Sequence, residues 1–148
     1  MPSTRLKSKF CEVPLRLVDI DERGCHILVK ISINKSRGHY FVLDTGASMT
    51  VLDKNLGALY QPSEINPELK SYALGEQEIQ TSWAIVHEFR IGKVKEIDFR
   101  LVLVDLSSIT EIYKQYGRIR IAGLLGGDFL KEHKAVINYK KSSLKLYL

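Results

Sequence analysis

The stretch Phe41-Val42-Leu43-Asp44-Thr45-Gly46-Ala47-Ser48-Met49-Thr50-Val51-Leu52 constrains this chain more than any other. Its first three residues are apolar and read as a buried strand, and the strand stops at an acid. A carboxylate at the mouth of a core strand costs free energy unless it is hydrogen-bonded or put to use. The Thr-Gly turn behind it can supply the bonds. Gly46 admits unusual backbone angles, and amide N–H groups in such a turn can point back at the carboxylate. A titratable side chain held this firmly is what a catalytic site requires.

The flanking segments read as short β-structure. Val13–Val18 alternates weakly, and Pro14 places it at a sheet edge. His26–Ile33 alternates and is rich in β-branched residues; the chain turns over 34–38 and returns as Tyr40–Leu43, a hairpin that delivers Asp44. Val51–Leu59 reads as a short helix or turn, and 60–70 as a polar loop. Ser71–Leu74 and Ile79–Val86 read as strands joined through Gly75-Glu76-Gln77-Glu78. Glu88–Arg100 has the pattern of a hairpin turning at Gly92-Lys93, and the apolar run Leu101–Leu106 reads as a central strand buried on both faces. Ser107–Gly117 is the best helix, with Ser108 as its cap and Glu111 three residues on. A short helix near Asp128–His133, a strand over Ala135–Tyr139 and a final alternating strand over Ser143–Leu148 follow. Short strands with one or two small helices predict a mostly β domain, closed or sandwich-like. A polar segment over 1–12 precedes a single domain over 13–148, a length that supports one core.

Asp44 lies in a motif with a recognisable pattern. Apolar-apolar-Asp-Thr-Gly-Ala-Ser resembles the active-site loop of aspartic proteases, in particular the short retroviral-type ones, the retropepsins. A second stretch, Ile121-Ala122-Gly123-Leu124-Leu125-Gly126-Gly127-Asp128-Phe129-Leu130, is similar to the segment that passes beside the catalytic loop in that family and leads into a short helix. The resemblance runs from about His26 to the C-terminus. It implies a closed barrel-like acid-protease (retropepsin) fold with one or two short helices, and an aspartic endopeptidase that needs no cofactor. Asp44 is then the catalytic acid/base. Thr45 braces the opposing loop at a two-fold axis, Gly46 leaves room beside the carboxylate and donates its N–H, and Ser48 hydrogen-bonds the outer carboxylate oxygen. Gly123, Leu124, Leu125 and Gly126 support the loop. The hairpin with Leu74, Gly75 and Glu76 at its tip takes the position of the flap that closes over substrate.

The chemistry makes a further demand. Attack of water on a peptide carbonyl needs two carboxyls sharing one proton, because two close like charges do not both ionise. The chain holds one Asp-Thr-Gly, which is half a site; Asp128 follows two glycines but lacks the strand-Asp-Thr-Gly order. A homodimer would bring two Asp44 side chains together across a two-fold axis. The expected partners are therefore a second copy and a peptide or protein substrate. The alternative is a non-catalytic member, the same fold used as a peptide-binding or dimerisation module. Three features depart from the family: greater length than the minimal viral enzymes, one glycine in the flap candidate, and a helix inserted before the second motif.

Composition narrows the remaining classes. The net charge is +5, but the basic residues are scattered and do not interleave with stacking aromatics, so no nucleic-acid partner is expected. No apolar run reaches the ~18 residues of a membrane span. No apolar signal core follows the basic start, and the two cysteines, Cys11 and Cys25, suggest no disulfide framework; a cytoplasmic location is the expectation. The four histidines lack ligand spacing, so no metal is expected.

Overall fold

A computed structural model describes residues 9–60, 62, 64–66, 70–72, 78–80 and 82–148 of the chain. An antiparallel meander opens it: β1 (Phe10–Ile20), β2 (Gly24–Ile33) and β3 (His39–Leu43). After the Asp44 loop come β4 (Val51–Asp53) and a 3-10 helix (Lys54–Tyr60). Then follow β5 (Glu64–Asn66), β6 (Lys70–Tyr72), β7 (Glu78–Gln80) and the long hairpin of β8 (Ser82–Ile91) and β9 (Val94–Val104), turning at Gly92-Lys93. The chain ends with α1 (Ser107–Gly117), β10 (Ile121–Leu125), α2 (Gly127–Glu132), β11 (Val136–Asn138) and β12 (Ser143–Tyr147).

Strands β2, β3, β10, β4, β9 and β8 are successive neighbours, and β8 returns to β2 at Ser32–Arg90 and Ile33–Phe89, which closes a barrel. The expected mostly β, barrel-like class is what the chain forms. Alternation along the strands separates two cores. The larger, on the face of Phe41 and Leu43, gathers Ile31, Leu52, Phe89, Leu101, Leu125 and Phe129. The smaller lies beneath α1 and joins Val18, Ile20, Leu28, Ile119 and Ile121 to Tyr113, with Tyr40, Val42 and Ile109 packed against it.

Several local expectations are corrected. β1 starts at Phe10, inside the segment set apart as polar, because Cys11 is buried and Phe10 pairs with Tyr147. Pro14 is not on an edge strand. It stands where β1 changes neighbours: Phe10–Pro14 pair with β12 and Leu15–Ile20 with β2, so the missing N–H falls at the handover. The apolar run from Leu101 is the end of β9 rather than a separate strand. Glu64–Asn66, read as loop, adds β5 to β8. The start of α1 is held by Asp105, not by Ser108: its carboxylate accepts the Ser107 N–H at 3.0 Å and the Ser107 hydroxyl. These bonds from Ser107, with the Asn55 amide, hold Asp105 below the usual carboxylate range.

β6 and β7 pair antiparallel, Lys70 with Gln80 and Tyr72 with Glu78. The flap residues Leu74, Gly75 and Glu76 lie outside the described residues.

Candidate active site

Asp44 stands one residue beyond β3, at the end of a parallel pair with β10, and its N–H donates to the Leu125 carbonyl at 3.0 Å. The loop then turns on itself. The Gly46 N–H donates to Asp44 Oδ1 at 2.9 Å, and the Ala47 N–H to the Asp44 carbonyl at 3.2 Å. The side chain is half-buried, and Thr45, Gly46 and Ser48 are exposed. The carboxylate is thus fixed by the turn and open to an incoming group.

The second motif clamps the loop from behind. The Gly127 N–H donates to the Ala47 carbonyl at 2.7 Å, and the Asp128 N–H to the Ser48 carbonyl at 3.1 Å. Thr50 is fully buried. Its N–H and hydroxyl both donate to Asp128 Oδ1, at 2.9 and 2.7 Å, and its hydroxyl accepts the Gly126 N–H at 3.1 Å. The same Asp128 oxygen takes the Phe129 N–H at 2.8 Å, in the first turn of α2. Asp128 is therefore occupied as a brace, and it faces Thr50 rather than the turn that holds Asp44.

Two glycines are required by close approach. A Cβ on Gly123 would lie 2.0 Å from the Val51 carbonyl oxygen and 2.3 Å from the Phe41 ring. A Cβ on Gly126 would lie 2.5 Å from the Met49 backbone. Leu124 and Leu125 continue β10 between them, paired with Val42 and Leu43.

Gly46 differs from the expectation only in its backbone angles. It does not take the left-handed backbone; among the described glycines Gly92 does, with φ 56°. Gly46 supplies its N–H, and a Cβ there would crowd Asp44 Oδ1 at 3.2 Å. Ser48 meets the clamp through its carbonyl; among the described residues its hydroxyl makes no hydrogen bond to Asp44.

Sequence reasoning did not single out Thr50. A threonine between Met49 and Val51 looks like an ordinary strand residue, and only contact with Asp128, 78 positions away, reveals its use.

The register also sets out a floor. Val42 pairs with Leu124, and Leu124 with Val51. All three are half-buried, and alternation puts Val42 on the same side of β3 as Asp44.

The family profile described as Aspartyl protease matches residues 29–129, more than half of the chain. The chain belongs to the aspartyl protease family. The matched span holds both the Asp44 loop and the Gly123–Phe129 clamp of this aspartyl protease. Among solved structures, it is similar to a retropepsin-like aspartic protease from Rickettsia conorii, with a TM-score of 0.57 at 18% identity over 95% of this chain and 93% of that one. It is also similar to the EIAV protease solved with an inhibitor, with a TM-score of 0.56 at 16% identity over 81% of this chain and 96% of that one. The retroviral protease-like domain of Ddi1 from Leishmania major gives a TM-score of 0.52 at 17% identity, over 82% and 92% of the two chains. At these identities the likeness establishes the fold, which is retropepsin-like. No curated protein matches closely enough to count as a relative.

Proposed function

We propose that this aspartyl protease is an active endopeptidase working as a homodimer, in which Asp44 of each subunit contributes one of two catalytic carboxyls. The observation that carries the reading is the Asp44 turn itself. One carboxylate is held by the Gly46 N–H, backed by buried Thr50 and Asp128, and flanked by the exposed residues Thr45, Gly46 and Ser48. One subunit supplies one such acid, and the chemistry takes two. Facing each other, the two carboxyls share a proton. One takes a proton from the attacking water, and the other gives its proton to the scissile carbonyl oxygen. Thr45 braces the facing loop, and Gly123–Gly126 keep each carboxylate in place. Substrate lies as an added β-strand over the Val42–Leu124–Val51 floor, which accepts apolar side chains, under the β6–β7 hairpin. The outer face of the β11-β12-β1 sheet carries exposed Phe10 and Val136, with Lys145 over the Phe10 ring at 4.0 Å; an apolar surface of this kind suits contact between copies. We place the protein in the cytoplasm, where unpaired Cys11 and Cys25 are stable.

The test is Asp44→Asn. Peptide cleavage should vanish while sedimentation still shows a dimer and the thermal transition is kept. Undiminished turnover in this variant would refute the assignment, and a strict monomer at tens of micromolar would support the non-catalytic module instead.

A further inference from the structure

A cleft of about 630 Å³ lies apart from Asp44, which is not among its lining residues. It lies between α1 and the strand pair β4–β10, and Asp53, Leu56, Lys114, Arg118, Arg120 and Ile121 are among its walls. Alternation relates it to the catalytic face. On β4, Asp53 points to the same side as Val51; on β10, Ile121 pairs with Tyr40, on the side of Val42 and Asp44. The cleft therefore opens one pleat beyond the Val42–Leu124–Val51 floor, at the ends of β4 and β10 away from Asp44. With the bulge between Ile121 and Gly123, Ile121–Leu125 spans the length of Tyr40–Leu43, ~10 Å or about three residues of extended peptide.

The charges in this cleft are unevenly matched. Asp53 is buried, and its Oδ1 accepts the Asn55 N–H, the Asn55 side-chain amide and the Leu106 N–H. Glu111 lies 4.0 Å from Lys114 on the next turn of α1. Arg118 and Arg120 are exposed and, among the described residues, have no ion-pair partner. Arg118 holds the left-handed position after α1, φ 54°, where glycine is commoner. Beneath the two arginines Leu56, Ile119 and Ile121 are buried. Each guanidinium carries a planar fork of donors that matches a carboxylate, and both line this cleft with its apolar floor.

We propose that this cleft extends the substrate groove and receives an acidic side chain, so that the substrate is a peptide carrying Asp or Glu several residues from the bond that is cut. The inference rests on the protease reading for the word substrate, but not for the binding.

The two are separated by measuring binding in the Asp44→Asn protein. Fluorescein-labelled peptides of otherwise uncharged sequence, each made C-terminally amidated and with a free C-terminus, carry Glu, Gln or Lys at each position in turn. Glu should bind about tenfold tighter than Gln at one position, a difference of about 1.4 kcal/mol. The ratio should fall towards one in Arg118→Gln/Arg120→Gln and with added salt. It should turn to favour Lys in Arg118→Glu/Arg120→Glu. The same ratio should appear in kcat/KM of the unaltered protein. No preference at any position, or a preference undiminished in the double glutamine variant, overturns the proposal. A preference seen only with a free C-terminus moves the site to the chain end and overturns the side-chain assignment. Arginine-dependent binding without any cleavage would keep the cleft and sink the protease.

Discussion

The Thr50 hydroxyl is shared by two motifs that are far apart in sequence. It donates its hydrogen to Asp128 and accepts the Gly126 N–H, in a fully buried side chain. Thr50→Val keeps the shape and removes both hydroxyl bonds, leaving the Gly126 N–H without its acceptor while Asp128 Oδ1 keeps the N–H groups of residue 50 and Phe129. We expect a loss of about 1–3 kcal/mol in urea unfolding and a matching fall in peptide turnover, with Thr50→Ser restoring most of each. Gly126→Ala tests the close approach instead. The new methyl would meet the Met49 backbone, and the cost should be about 1–3 kcal/mol, read from the shift in denaturation midpoint. Much at this scale was legible in advance. Asp44 announced itself because an acid ending a core strand needs a reason. Gly123 and Gly126 did so through the resemblance of their segment to the one beside the catalytic loop in retropepsins. Thr50 and Asp128 did not, since their partnership is a contact across the fold and leaves no local pattern.

α1 lies outside the ring of barrel strands and covers the smaller core. Its sequence could be read because Ser107–Gly117 keeps a helical rhythm between two apolar strands. Its start could not, because Asp105 caps it from outside the helix with help from Asn55, fifty residues earlier. What seats it is Tyr113, buried in the smaller core and hydrogen-bonded to His26. Tyr113→Ala should cost ~3–5 kcal/mol, whereas Tyr113→Phe, which keeps the ring, should cost about 1 kcal/mol. Helical circular dichroism during urea unfolding distinguishes a detached α1 from global loss. If α1 walls the acidic-residue cleft, Tyr113→Ala should also reduce the Glu over Gln preference. The strand boundaries were less legible. β5 is three residues of mixed character whose pairing with β8 is decided by the sheet rather than by its own propensity.

For the whole molecule, acidity has a worked sign. Burial, helped by Arg120 and Lys30, holds His39 below its usual 6.5. The unfolded chain therefore binds that proton first, and the stability His39 allows is present above about pH 6.5 and lost as pH falls through the folded value. Burial raises Tyr60 and Tyr113 to about 12. Their contribution is complete below pH ~10, where an unfolded tyrosine begins to ionise, and it drains away as pH climbs towards the folded values. Thermal midpoints across pH should thus fall at both ends. His39→Gln should flatten the acid limb, and Tyr60→Phe the alkaline one. The barrel's closure has its own consequence. β2 and β8 meet at only two residue pairs, reinforced where the Asn34 N–H donates to the Glu88 carbonyl and the Glu88 N–H to the Asn34 side chain. A short seam of this kind is where the cylinder should unzip first, so amide protons of Ile33, Asn34 and Phe89 should exchange earlier than those of Leu43 and Leu125. Breathing would then be confined to the rim remote from the Asp44 carboxyl, leaving the latter still while the wall opens.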